Sequence, residues 1–458
     1  MKKYIPIILL LSFHLFLLAQ LRFTAWPEML SYAYLKNHGF LLYKDMIHPY
    51  PPVLTLVLSY VYKAFGYDLI VLKTFSWAII LFSDLCVWLL AREITKKDTA
   101  AILSLAVYVF LQPVLEGNML WFDIAIVPPL LLGAYMLLRG NLLLGGIFLS
   151  MAGFIKQTGG LFYLSVLCYL ILTKAPGKQL KNYLIGPFIF GIPLLIRLMQ
   201  ESAVIGFWNW VVYYPAKFWS KFPGYVQMSV TPREILIIGL LIAPIVWLSI
   251  RSIGKRDKNL IVLMLFTVLS LISVYPRFSF FHLQTTIALS AVLLGTVIAQ
   301  NKKLLMFPVI SLPLILVLMW PQIKLEWGKE ARFYGSEEID FANKLSDISK
   351  SDTVFLQGIQ SGIYVFSNTL PPKPWGDNFG WYYEVPGIQE ATLIRWEQNP
   401  PETIVWRTPN QGNQFDLGTY EPKKIVDWIQ QNYFRETELR PGILVWRKKP
   451  KVVSGVEP

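Results

Sequence analysis

Eleven predominantly apolar runs follow one another along the chain, at 4–20, 69–91, 99–115, 122–138, 141–155, 158–173, 183–199, 234–250, 259–275, 281–299 and 303–320. About 20 apolar residues in a helix cross the roughly 30 Å hydrocarbon core of a bilayer. The runs therefore predict a polytopic α-helical membrane protein. Composition agrees: 54% of the 458 residues are hydrophobic and only 16% charged, against roughly 25% charged in a soluble domain. Disorder, a collagen-like fold and a secreted disulfide scaffold are excluded. The two cysteines, Cys86 and Cys168, both sit in apolar runs and make no disulfide framework.

The net charge of +13 is unevenly placed. Residues 1–320 hold 26 Lys/Arg and 11 Asp/Glu, whereas 321–458 hold 16 and 18. The basic residues collect in short loops between spans, as cytoplasmic loops do, and no basic stripe or recognition motif points to nucleic acid. A further apolar stretch, 51–66, is short and opens with Pro51-Pro52. If it lies in the membrane interface, Lys2/Lys3, Arg92/Lys96/Lys97, Arg139, Lys174/Lys178/Lys181, Arg251/Lys255/Arg256/Lys258 and Lys302/Lys303 all face the cytoplasm. If it crosses, every cluster from Arg92 onward faces outward, against the positive-inside rule. The expectation is eleven spans in the plasma membrane, with the N-terminus inside and the C-terminal tail outside. The first span starts with Lys2-Lys3 but shows no small-residue cleavage site after Leu18-Ala19-Gln20, so it reads as an uncleaved anchor. A membrane domain over 1–320 would then carry outer loops 21–68 and 200–233, and 321–458 would be an extracytoplasmic domain. Short inner loops leave chemistry to the outer face.

In the first outer loop, Pro27 to His38 followed by Gly39 reads as a short helix, with Pro in its first turn and Gly at its end. Leu30, Ala33 and Tyr34 share one face, which would let the helix lie on the membrane. Glu28, Asp45 and His48 are thereby placed just outside the first span. Each has an ordinary reading: Glu28 suits a helix N-terminus, Asp45 a turn, His48 a loop.

Their company adds to this. The segment Gly39 to Gly66, with Tyr43-x-Asp45 and His48-Pro49-x-Pro51-Pro52, resembles the first periplasmic loop of GT-C fold glycosyltransferases. It is most similar to the ArnT-like superfamily, which includes protein O-mannosyltransferases and 4-amino-arabinose lipid A transferases. The resemblance covers roughly the first 300 residues. It implies a GT-C-like bundle of about 11 transmembrane helices with interfacial helices, the Pro-Pro helix among them. That family carries a catalytic Asp or Glu near the end of the first span, often as an Asp-Glu pair. Here Pro27-Glu28 stands in that place, so Glu28 matches the second member and Asp45 becomes a rival. The resemblance further implies a substrate-binding neighbourhood that includes Tyr43 and His48.

Two cations stand out. Lys156, in Phe154-Ile155-Lys156-Gln157-Thr158-Gly159-Gly160, lies between two apolar runs with no acid nearby in sequence, where an unpaired charge is expensive to bury. It snorkels to the interface, or it binds a lipid-linked phosphate, as its match to the family's Lys-bearing turn implies. Arg277, in Tyr275-Pro276-Arg277-Phe278-Ser279, is always charged and can clamp a phosphate bidentately. It resembles the Arg-aromatic stretch before a late span of these transferases, and an interface anchor is its ordinary reading. Asp123 also matches the family pattern. His282 either binds substrate or is structural. Asp84, Lys73 and Arg197 read as structural pairing residues. The aromatic loop 200–233 suits a membrane interface or a platform for a polyprenyl chain.

In the tail, 336–349 and 421–433 read as helices, and Thr353–Gln357, Thr403–Trp406 and Gly442–Trp446 as strands. A small α/β or α+β domain is expected there, for substrate recognition or as a lid, with a Pro-, Trp- and Tyr-rich segment at 369–389 that covers the membrane site or binds carbohydrate. No phosphate loop or nucleophile motif appears. The four histidines have no ligand spacing, so no metal site is expected; a divalent metal is compatible with the chemistry but not required, and no other cofactor is.

These readings converge on inverting transfer of a sugar from a polyprenyl-phosphate donor to an acceptor hydroxyl at the outer face. Glu28 or Asp45 would be the base, and Lys156 and Arg277 the phosphate-binding cations. Lipid, glycan and protein acceptors all stay open. The alternatives are a transporter or lipid flippase, for which no inverted repeat is seen, and a surface-polysaccharide polymerase or ligase.

Overall fold

The computed structural model describes residues 4–252, 258–349, 353–407 and 420–450. Lys2, Lys3, Lys255, Arg256 and the Asn- and Gln-rich loop after Arg407 lie outside the described residues. By contact density the chain forms two compact units that are not contiguous in sequence. The first gathers Met1–Trp26, Tyr50–Arg197 and Gln227–Arg332, and the second Pro27–Pro49, Leu198–Val226 and Phe333–Pro458.

The first unit is helical, and the eleven apolar runs fall on its helices, the run 183–199 reaching two residues into the second unit. Among the described residues, five helical stretches are long and apolar enough to cross a membrane: Leu69–Thr95, Asp98–Gly117, Gly177–Gln200, Phe280–Gln300 and Lys302–Glu326. Six are shorter, among them Val53–Phe65 after Pro51-Pro52. Its 13 residues extend about 20 Å at 1.5 Å per residue, close to the 14-residue helices Leu142–Ile155 and Gly159–Leu172. It buries Leu54, Leu58 and Tyr62 and exposes Val57, Tyr60 and Phe65.

Helix Gln284–Gln300 is the axis of this unit, with every side chain from Gln284 to Ile298 buried. It packs on Asp98–Gln112, Leu69–Thr95, Pro232–Ser252 and Lys258–Ser270. A Cβ on Gly295 would stand 2.0 Å from Ser104 Oγ and 2.8 Å from Ala100 O, so only glycine permits this helix approach. Close approach through small residues is how helices associate where lipid gives no hydrophobic drive. By contrast, Gly177–Gln200 exposes Ile185, Phe188, Ile189, Ile192 and Ile196, and Met306–Glu326 exposes Val309, Ile310 and Val317. Contiguous apolar surface of this kind marks a membrane or partner contact.

One buried polar cluster ties the bundle together. His14 Nδ1 meets Asp84 Oδ2 at 2.8 Å and its Nε2 meets Gln112 Oε1 at 3.0 Å, tying Ile5–Gln20 to the next two long helices. Asp84 thus has the structural role expected of it. Lys73 lies over the Phe23 ring, 5.9 Å from its centroid.

In the second unit the expected first-loop helix forms as Pro27–Asn37, and Gly39 follows at φ +81°. It is not a helix with one apolar face laid on a membrane: every residue from Pro27 to Leu35 is buried by protein. The sheet has strand order β1-β2-β4-β3, with β1 Val354–Gln357, β2 Thr403–Arg407, β3 Tyr433–Arg440 and β4 Ile443–Lys448. β1 and β2 are parallel and the remaining pairs antiparallel. Helices Ser336–Ile348 and Lys423–Asn432 fall where sequence places them. Strand β3 was not expected. It is an edge strand, largely exposed, and its sequence Phe434-Arg-Glu-Thr-Glu lacks the apolar alternation that reveals a strand.

Candidate active site

The eight sequence candidates fall four to each unit. In the first unit, Asp123 opens the short helix Phe122–Ala125, and Lys156 caps helix Leu142–Ile155 in an extended conformation. The turn after Lys156 closes tightly because Gly159 has no side chain: a Cβ there would lie 2.3 Å from Ala152 O. Lys156 Nζ donates to Asp123 Oδ1 at 2.5 Å, and His282 Nδ1 meets Asp123 Oδ2 at 3.0 Å. Asp123 is fully buried and Lys156 is 8% exposed. Lys156 is therefore neither an unpaired charge nor a snorkelling one. Its partner lies 33 residues upstream, a distance at which sequence gives no hint of pairing.

This arrangement has chemical consequences. A carboxylate accepts only, so the Asp123 contact places a His282 proton on Nδ1. Lys156 has three N–H donors and spends one on Asp123. Arg277 is half-buried in the preceding loop, which is fixed by Gln227 N donating to Pro276 O and Phe278 N donating to Gln227 O.

Sequence reasoning missed Glu116. Its carboxylate accepts from Ser279 Oγ and from Phe280 N at 3.0 Å, so it pins the turn that carries His282. It sits at φ +57°. A lone acid beside Gly117 between apolar runs was the available signal. Glu116 also lines a cavity of about 230 Å³ together with Arg22, Trp26, Phe281, Glu326 and Arg332. Aromatic faces and planar polar side chains in one cavity suit a polyhydroxylated ligand, which offers both C–H faces and hydroxyls.

In the second unit, Glu28 lies in the first turn of Pro27–Asn37, 6% exposed, and its Oε2 has no hydrogen-bond partner. Burial, and secondarily the facing Asp377, pushes its carboxyl up to about 8. Burial raises Asp377 to about 6. Asp45 is differently placed: it meets Lys373 at 3.4 Å, Arg395 at 3.2 Å and the Leu41 amide at 3.2 Å. Those contacts make it the anchor of a turn. Tyr43 takes φ +66° and packs edge-on against His48, with ring centroids 5.5 Å apart, while Tyr32 covers the other imidazole contact at 5.0 Å. His48 is fully buried. Both residues are part of the packing of this unit. Among the described residues no group of three or more His, Cys, Asp or Glu could hold a metal ion.

No family model and no curated protein sequence matches the chain. Solved structures do. The crystal structure of ArnT from Cupriavidus metallidurans bound to undecaprenyl phosphate matches with TM-score 0.60 at 10% identity, over 98% of this chain and 99% of that one. The chain has the GT-C fold. The apo structure of the same ArnT matches with TM-score 0.60 at 11% identity, over 96% and 97% of the two chains. An oligosaccharyltransferase from Archaeoglobus fulgidus, in complex with Zn and sulfate, matches with TM-score 0.50 at 13% identity, over 84% of this chain and 64% of that one. The GT-C likeness to ArnT is thus one of chain path along nearly the whole length, including the small sheet.

Proposed function

We propose that this protein is a membrane glycosyltransferase that moves a sugar from a polyprenyl-phosphate donor to an acceptor hydroxyl at the outer membrane face, with inversion. The observation that carries the reading is the match over nearly its full length to an ArnT structure holding undecaprenyl phosphate. The buried Asp123–Lys156–His282 group supports it, because membrane proteins keep buried ionisable clusters chiefly for function.

In the proposed reaction, Glu28 takes the acceptor's hydroxyl proton as the oxygen forms its bond to the anomeric carbon. The bond from that carbon to the phosphate oxygen breaks, and its electron pair leaves with the polyprenyl phosphate. Arg277 and the remaining N–H groups of Lys156 stabilise the charge gathering on the phosphate. Asp123 holds Lys156 and His282 in place for this. The cavity beside Glu116 would take a sugar ring.

The outward orientation is supported by parity. Segments 27–49, 198–226 and 333–458 form one compact unit, and a compact unit lies on one side of a membrane. The chain must then cross an even number of times between 49 and 198. The six runs from 69 to 199 satisfy this if Val53–Phe65 does not cross, and the four runs from 234 to 320 satisfy it for the second interval. Basic inner loops then orient the tail outward. The test is to incubate the purified protein with a radiolabelled polyprenyl-phosphate sugar and a mixed acceptor extract. Label leaving the lipid phase supports the reading. A full-length protein that binds the donor lipid but never turns it over defeats it.

A further inference from the structure

Sequence reading assigned the C-terminal part only recognition or covering roles, yet it contributes a carboxylate to Glu28. We propose that Asp377 is the positioning residue of Glu28, fixing by its charge where the proton of the carboxyl pair resides. The proposal rests on Glu28 being the base.

The geometry is directional. Ser31 lies one helical turn beyond Glu28, on the same side of the helix. Ser31 Oγ and Ser361 Oγ are 3.0 Å apart, and Ser361 Oγ donates to Asp377 Oδ2 at 2.9 Å. Ser361 has one proton to give, and gives it to Asp377, so Ser31 is the donor of the first bond. The other Asp377 oxygen accepts from Asn378 N at 3.0 Å. Asn378 is itself tied to the end of β1 through Leu356 O and Ile359 O, at 3.1 and 3.0 Å. Asp377 thus has donors on both oxygens, which favours its ionised form. Glu28 Oε2 has none, and burial together with the Asp377 charge outweighs the one hydrogen bond the carboxyl takes from its own backbone.

Other titratable groups around the pair are Tyr364, Tyr383 and Tyr32 of the Glu28 helix, with the buried His48 packed on Tyr32 at 5.0 Å. Tyr364 OH accepts from Leu356 N, and Tyr383 OH donates to Gly376 O. Lys373 and Arg395 are engaged by Asp45. Asp377 is the neighbouring charge that acts on Glu28. The pair holds one proton near neutrality, on Glu28, and releases it as pH rises toward about 8. A base titrating near its working pH is effective at proton transfer.

The test is the pH profile of kcat/KM for sugar transfer by the full-length wild type, Asp377→Asn and Asp377→Glu. Wild type should show an ascending limb near pH 8. Asp377→Asn removes a negative charge from beside Glu28, so its limb should move down by about one to two pH units. Asp377→Glu should restore the wild-type limb. An unmoved limb with activity reduced equally at every pH would mean a merely structural Asp377 and would overturn the proposal. Difference infrared spectra of wild type and Glu28→Gln add a readout that survives if Asp377→Asn fails to fold. A protonated-carboxyl band at pH 7 that disappears in Glu28→Gln supports the proton location, and its absence from wild type overturns it. Undiminished transfer by Glu28→Gln would sink the base assignment itself, whereas an inactive Glu28→Gln with an unmoved Asp377→Asn limb would sink only the role of Asp377.

Discussion

Asp123 and Lys156 form an ion pair at 2.5 Å in which the carboxylate is fully buried and the ammonium almost so. Removing one partner of a buried pair leaves an uncompensated charge and costs about 3–5 kcal/mol. Asp123→Asn should therefore lower unfolding stability in detergent by that amount and abolish transfer. Asp123→Leu combined with Lys156→Met should regain most of the stability and none of the activity. Recovery of both would make the pair a structural filler.

Glu28 couples folding to pH. Its proton is held more tightly in the folded protein, at about 8, than at the ordinary 4.5. Its contribution is therefore complete below about pH 4.5 and is lost as pH rises through about 8. Wild type should lose Tm progressively across that window, and Glu28→Gln should lose less, ending more stable than wild type near pH 9 by a few kcal/mol, to order of magnitude. Parallel Tm curves for the two proteins would contradict the burial of an ionisable Glu28.

Asp45 should behave as an anchor. Lys373 and Arg395 are roughly two-fifths exposed, and such pairs are worth little, about 0.2–1 kcal/mol each. Asp45→Asn should cost at most about 2 kcal/mol in thermal stability and keep transfer within a few-fold of wild type. A loss of two orders of magnitude in kcat without unfolding would return Asp45 to the site.

His14 bridges three helices through Asp84 and Gln112. His14→Leu leaves Asp84 buried without its partner and should cost about 3–5 kcal/mol. Pairing it with Asp84→Leu should restore much of the loss, since apolar replacement of a whole buried pair is often neutral. Equal instability of the single and double variants would refute the pairing.

Much of the fold was legible because a helix in an apolar solvent announces itself by length and composition. The eleven runs, the Pro-Pro helix and the helix closed by Gly39 all follow from local rules. What escaped depends on contacts distant in sequence. Lys156 read as unpaired because Asp123 belongs to another helix. Asp377 read as part of an aromatic cover because Glu28 is 349 positions earlier. His48 and Tyr43 read as loop residues because their burial comes from Tyr32 and Phe207. Strand β3 escaped because an edge strand needs no apolar face.

Anomer-resolved turnover of a polyprenyl-phosphate sugar by wild type, Glu28→Gln and Asp45→Asn tests the account most directly. The expected result is an inverted product from wild type and Asp45→Asn, with Glu28→Gln slower by about 10²–10⁴, the usual worth of a general base. Retained configuration, or a Glu28→Gln variant as fast as wild type, would contradict it.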